Sequence, residues 1–172
     1  MDHEALKKSL LKKFQEVTAD RLTKIQLGAI DLEKPTAAQA AEEVARELHT
    51  MKGEARMLGL PAVGQIAHAA EDLLKASREG KTTASAATDL LLRACDAVSD
   101  LIEDLPGAQT GNEISESICK ALSEASGHPV PPLTPGHSAA AALKRSSASG
   151  AAAKVPEPPP RPPPPGPSHP PQ

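Results

Sequence analysis

Residues 44–61 are VARELHTMKGEARMLGLP, and they predict one helix, a tight turn and the start of a second helix. Apolar side chains recur at helical spacing through this stretch, at Val44, Leu48, Met51, Ala55 and Leu58. Side chains three, four and seven residues apart share one face of a helix, so these five are expected to form a buried stripe. Gly59 is typical of a helix end and Pro61 of a first helical turn. The chain is therefore expected to reverse direction at residues 59–61.

Similar periodicity predicts helices on both sides of this hairpin. The first helix is predicted from residue 2 to about residue 27, and Gly28 and the segment to Pro35 are expected to end it. The second is predicted over residues 36–59 and begins with a T-x-x-Q capping box. The third starts at the proline of the turn and is expected to end near Gly80.

Two more helices follow along the chain. The fourth is expected to start after a cap at the Thr82-Thr83 pair and to end before Pro106. The fifth is shorter, begins at Thr110 with a T-x-x-E capping box and stops at Gly127. Short loops make sequential helices antiparallel neighbours. The predicted fold class is all-α: an antiparallel up-down-up-down four-helix bundle with a fifth C-terminal helix, followed by a disordered Pro-rich tail.

Composition supports this class and divides the chain into two parts. The 172 residues include one Phe and no Trp or Tyr, so the core must be aliphatic, which suits closely packed helices. Of the 18 prolines, only three precede residue 128. We therefore predict a helical bundle in residues 1–127 and a disordered Ala/Ser/Pro-rich linker in residues 128–172. The P-x-x-P spacing of this linker also fits an SH3-like groove, but a plain spacer is the stronger interpretation.

The net charge is −3, and the acidic excess lies in the bundle. Four of the 19 basic residues and one of the 22 acidic residues belong to the linker, which leaves the bundle at −6. An acidic surface argues against nucleic acid as a partner. No apolar run approaches the ~18 residues of a membrane span, so we expect no membrane partner and a cytoplasmic location. Cys95 and Cys119 lack metal-ligand spacing and are expected to be buried, reduced thiols.

His49 is a candidate functional residue because it falls outside the buried stripe and is expected to reach solvent. Lys52, Gly53 and Arg56 follow it on the same side of the helix. Counting residues from the turn at 59–61 identifies a partner for His49 on the third helix. His49 and Glu71 are equally far from the turn, about 15 Å on either side, and are therefore level across the antiparallel pair.

The same count makes Lys52 level with His68, which itself precedes Glu71 by one helical turn. Four polar groups are thus expected to converge on one patch. This set suits a histidine that accepts and passes on a phosphoryl group, since an unperturbed imidazole is largely neutral near pH 7. Glu71 would accept the hydrogen bond of Nδ1–H of His49 and leave Nε2 exposed, while Lys52 would attract the phosphoryl group.

Gly53 and Arg56 would belong to the partner surface, the glycine by leaving space and the arginine by attracting phosphate or partner. Ordinary roles stay open for the same residues: a structural His68, and surface charges at Lys52, Arg56 and Glu71. A zinc site formed by His49, His68 and Glu71 is a weaker interpretation, because Lys52 among them would repel a cation.

At these residues the sequence resembles the histidine-phosphotransfer (HPt) domain at the N-terminus of CheA-type chemotaxis histidine kinases. The pattern H-x-x-K-G-x-A-x-x-x-G of that family reads here as His49, Lys52, Gly53, Ala55 and Gly59. His68 and Glu71 match the supporting pair on the next helix. Glu54 and Arg56, where the family commonly has small residues, resemble the FrzE-type hybrid kinases and put the choice of partner in question.

The resemblance implies that a separate ATP-binding kinase domain phosphorylates His49 at Nε2, and that a CheY-like receiver domain takes the phosphoryl group on an aspartate. ATP and Mg²⁺ would belong to those partner domains, because this chain has no Gly-rich phosphate loop. We expect it to be the phospho-acceptor part of a histidine protein kinase, without cofactor or metal of its own. The alternative is a non-catalytic helical adaptor whose bundle and Pro-rich tail bind partner proteins.

Overall fold

The computed structural model describes residues 3–133. Within this range the chain forms six α-helices: α1 (His3–Asp31), α2 (Ala37–Leu58), α3 (Pro61–Arg78), α4 (Ala84–Glu103), α5 (Leu105–Thr110) and α6 (Glu113–Ser126). The predicted all-α class is confirmed. Of the linker predicted for residues 128–172, residues 134–172 lie outside the described range.

Helices α1 to α4 form the predicted four-helix bundle. α1 contacts α2 and α4, α3 contacts the same two helices, and α6 packs against α3 and α4. Side-chain bonds fix the antiparallel direction of α1 and α4, because Gln15 donates to Ile102 O and Thr88 Oγ1 donates to Ala29 O (2.8 Å). The core between the helices is aliphatic; its largest fully buried side chains include Ile25, Met51, Ile66, Leu73 and Leu101.

The turn between α2 and α3 has the predicted form. Gly59 lies in the left-handed region with φ of 73°, and Pro61 occupies the first turn of α3. The N–H of Leu60 donates to Ala55 O (2.8 Å), which satisfies a terminal carbonyl of α2. Of the predicted stripe, all but Leu58 are buried. The turn therefore sets α2 and α3 side by side, in the register that the site requires.

Gly28 does not end α1, which continues to Asp31, within the segment up to Pro35 that was expected to end it. A Cβ at Gly28 would lie 2.5 Å from Val44 Cγ2, so this glycine permits close packing of α1 on α2 rather than ending a helix. At the other end of α1, Leu6 and Leu10 share the four-residue apolar spacing of the buried Phe14 but are 52% and 47% exposed. Gln15 is already level with the last turn of α4, so the residues before it extend past that helix.

Two predicted capping boxes are also wrong. Thr36 precedes α2 but makes no side-chain cap bond, since its near-helical ψ of 10° differs from the extended backbone that side-chain capping requires. Thr110 lies in the additional short helix α5, and α6 is capped by Asn112 and Ser115, whose side chains each accept from the other's backbone N–H (2.9 Å). The predicted cap at Thr83 is confirmed, as its Oγ1 accepts from Ala86 N.

Residues 128–133 follow α6 without regular structure. Pro131 is buried, and its carbonyl accepts from Gln65 Nε2 (2.6 Å) on α3. The start of the predicted linker is thus held against the bundle. Among the described helices, none is long and apolar enough to cross a membrane.

Candidate functional site

His49 lies on the outer side of α2 with 74% of its side chain exposed. Its Nδ1 is 3.0 Å from Glu71 Oε1, on the neighbouring helix α3. An ionised carboxylate can only accept a hydrogen bond, so in the neutral ring Nδ1 carries the proton and Nε2 carries the lone pair. Counting from the turn had made these two residues level, and the geometry agrees.

Lys52 donates from Nζ to the second oxygen of the same carboxylate, Glu71 Oε2. The side chains of Lys52 and Glu71 are only 16% and 18% exposed. One carboxylate therefore holds both the imidazole and the ammonium, and Lys52 faces Glu71 rather than the histidine that the count had paired with it.

His68 has a different partner from the one expected. Its Nε2 lies 3.9 Å from Asp72 Oδ2, one turn further along α3, and its buried Nδ1 has no hydrogen-bond partner among residues 3–133. No hydrogen bond or ion pair in that range joins it to His49 or Glu71. A residue three positions before Glu71 is rotated about 60° from it around the helix, so the two side chains leave α3 in different directions. Three of the four predicted groups are joined and the fourth is not.

The zinc site considered for His49, His68 and Glu71 is not formed by the residues that the structure describes. Within the described residues, no three side chains of His, Cys, Asp or Glu are grouped so as to hold a metal ion.

Gly53 and Arg56 differ in their surroundings. A Cβ at Gly53 would meet nothing within 4 Å, so the surface beside His49 is open. Arg56 is partly buried, and its Cγ would lie 3.4 Å from a Cβ at Gly64 on α3. Its aliphatic stem therefore lies along the contact between α2 and α3, over a residue without a side chain.

A residue that the sequence did not single out explains the unusual Glu54. Arg21 on α1 donates from Nη1 to Glu54 Oε2 (2.7 Å) and forms an ion pair with Glu47, with 3.0 Å between Nε and Oε2, and only 11% of its side chain is exposed. Glu54 thus ties α2 to α1, on the side of α2 away from Glu71. The only indication of this role in the sequence was that Arg21 directly precedes Leu22, a buried residue of α1.

Comparison with known proteins gives one family and several relatives. Residues 9–108 match the model of the Hpt domain. The chain is 73% identical over 131 residues to a gliding motility regulatory protein of Myxococcus xanthus, covering 76% of this chain and 17% of that protein. It is 32% identical over 100 residues to a chemotaxis protein CheA of Treponema pallidum, covering 57% and 12%. Over 113 residues it is 27% identical to a chemotaxis protein CheA of Listeria monocytogenes, covering 64% and 18%.

No solved structure matches the chain. The chain spans less than a fifth of the length of each of these relatives. The matched residues 9–108 are more than half of the chain and include all of α2 and α3, with His49 and Glu71. The resemblance read from the motif is confirmed, and the chain belongs to the family of Hpt domains, the histidine-phosphotransfer modules.

Proposed function

We propose that this chain is the phosphotransfer module of a two-component chemosensory signalling system. His49 accepts a phosphoryl group from the ATP-binding domain of a CheA-type histidine kinase and passes it to an aspartate of a CheY-like response regulator. The observation that carries the proposal is the exposed imidazole of His49, held at Nδ1 by Glu71. Family membership and the chemotaxis and gliding-motility relatives support the signalling context.

The transfer step follows from the tautomer. The lone pair of Nε2 attacks the γ-phosphorus of ATP, the N–P bond forms, and the bond to the leaving ADP breaks. The product ring carries the phosphoryl group on Nε2 and the proton on Nδ1, and is therefore cationic. The carboxylate of Glu71 stabilises that charge through a charge-assisted hydrogen bond. When an aspartate oxygen attacks the phosphorus, the N–P bond breaks and the ring returns to its neutral form.

Lys52 and Gly53 support this chemistry in different ways. Lys52 fixes the orientation of Glu71 and, through it, the plane of the His49 ring. Gly53 leaves open surface on which a partner domain approaches Nε2. ATP and Mg²⁺ belong to the partner domains in this proposal, and His68 takes no part in the transfer.

The test is phosphorylation by the ATP-binding domain of a CheA-type kinase with radiolabelled ATP. We expect acid-labile, base-stable label on the wild-type chain and none on His49→Gln. His128→Gln, which removes an imidazole outside the site, is the matched control and should keep the label. Addition of a receiver domain should then move the label from the chain to the receiver.

Label that persists on His49→Gln would overturn the assignment. A wild-type chain that takes no label but still binds the kinase or the receiver would instead favour the helical adaptor.

A further inference from the structure

The position of Lys52 leaves the phosphoryl group on His49 without the cation expected from the sequence. A protein-bound phosphoryl group carries about two negative charges near pH 7. The ammonium of Lys52 donates to Glu71 and is largely covered. A cation that binds the phosphoryl oxygens on the outer side of α2 would therefore have to come from another residue.

The geometry of His49 indicates on which side that cation lies. Nδ1 points toward α3, and Nε2 lies on the far edge of the ring, so Nε2 points away from α3. At about 100° per residue, Lys52 is rotated about 60° from His49 toward α3, whereas Gly53 and Arg46 are rotated about 40° and 60° the other way. Helical side chains also lean toward the N-terminus of their helix, so the imidazole lies over the turn that carries Arg46.

Arg46 is suited to the phosphoryl group. It is exposed, and within residues 3–133 it forms no ion pair, although Glu42 and Glu43 lie on the preceding turn. Residues three apart on a helix have Cβ atoms about 5–6 Å from each other, within reach of an arginine side chain. A guanidinium presents two parallel N–H groups that match two phosphoryl oxygens, and it stays charged throughout the pH range of the reaction.

We propose that Arg46 binds the phosphoryl group on Nε2 of His49 during transfer. This inference rests on the proposed function, since it requires His49 to be the acceptor. It assigns the two cations different tasks: Lys52 orients the ring through Glu71, and Arg46 neutralises the charge that arrives.

The test uses potassium phosphoramidate as the phosphoryl donor, so that no partner domain is needed. Nε2 forms a bond to phosphorus as the P–N bond of the donor breaks, and the leaving nitrogen takes a proton from water and departs as ammonia. Phosphorus NMR measures the rate and identifies the ring nitrogen that is modified. We expect Arg46→Gln to react about fivefold more slowly than wild type at low salt, the size of one exposed charge interaction.

Three comparisons separate this role from a structural one. Arg46→Lys should recover most of the rate, because it keeps the positive charge and loses only the two parallel N–H groups of the guanidinium. The defect of Arg46→Gln should shrink at about 1 M salt, where the Debye length falls to about 3 Å. Arg93→Gln, an exposed arginine on α4, should behave as wild type.

Equal rates for wild type and Arg46→Gln at low salt would overturn the assignment, and so would a defect that salt does not change. Circular dichroism at both salt concentrations verifies that the variants are folded. Phosphorylation of the wild-type chain only at a residue other than His49 would instead count against the proposed function.

Discussion

Glu71 controls the site at the scale of single residues because its two oxygens serve two donors. Oε1 accepts from His49 and Oε2 from Lys52, so neither oxygen can turn away without breaking a bond to a neighbour on α2. The carboxylate is mostly covered while the imidazole is mostly exposed. A fixed acceptor thus orients a ring that partner domains can reach.

Glu71→Gln should slow phosphorylation of His49 about tenfold, because the amide can still accept from Nδ1–H but lacks the charge that stabilises the cationic product. The expected loss corresponds to about 1.5 kcal/mol, the lower range for hydrogen bonds to charged groups. The measurement is the initial rate of labelling by kinase and ATP.

Asp72→Asn is the matched control for that variant. It removes the neighbouring carboxylate of α3, which faces His68 instead, and should label at the wild-type rate. If Glu71→Gln labelled as fast as Asp72→Asn, the carboxylate would have no part in the transfer.

Pairs of helices are positioned by contacts that have little to do with helix propensity. Arg21 joins α1 to two glutamates of α2, and Gly28 lets the backbone of α1 approach Val44. On the opposite face of α2, Gly64 makes room for the stem of Arg56. These contacts place α2 between α1 and α3, so that one face of α2 is structural and the other carries the site.

Two glycines within helices should respond in opposite ways to the same substitution. Gly28→Ala should lower the free energy of unfolding by about 1 kcal/mol, because overpacking against Val44 outweighs the gain in helix propensity. Gly53→Ala should raise it by about 0.5–1 kcal/mol, since the added methyl meets open space. Urea unfolding of both variants measures the two changes.

Val44→Ala in the Gly28→Ala background gives a further control. The double variant should be more stable than the sum of the single changes, because the smaller side chain removes the clash. Simple additivity would mean that Gly28 and Val44 do not meet in solution.

At the scale of the whole molecule, burial in the core changes the pKa of the two cysteine thiols. Cys95 on α4 and Cys119 on α6 are free and buried, and burial raises the pKa of each thiol to about 12, with Asp96 adding to the effect at Cys95. A thiol in the unfolded chain has the ordinary pKa of 9.0. The folded state therefore holds both thiols in the neutral form over a range where the unfolded chain ionises them.

This difference predicts a fall of stability in alkali. Because the folded pKa is raised, the stabilising contribution is complete below pH 9 and is lost as the pH rises from about 9 to 12. At pH 10 the loss is about 1.4 kcal/mol per thiol, measured by urea unfolding at pH 8 and pH 10. Cys119→Ala should reduce that pH dependence, and an unchanged dependence would contradict the assignment.

The sequence by itself determined the helical class, the α2–α3 turn and the pairing of His49 with Glu71. Each follows from local rules: apolar periodicity, a left-handed glycine before a proline, and a constant rise per residue on both sides of one short turn. The motif together with His68 and Glu71 was enough to identify the family. The predicted boundary after residue 127, the roles of the site residues and the partners stay predictions.

Only the tertiary structure decided which contacts each polar group makes. Lys52 could have faced His68 or solvent, and it binds Glu71 because the side chains of α2 and α3 interlock across the contact. Arg21, the continuation of α1 through Gly28 and the capping of α6 by Asn112 likewise depend on neighbours that are distant in the sequence or on exact backbone angles. Periodicity determines which face of a helix is buried, but the partner of a side chain depends on the rotation and separation of two helices, which only their packing sets.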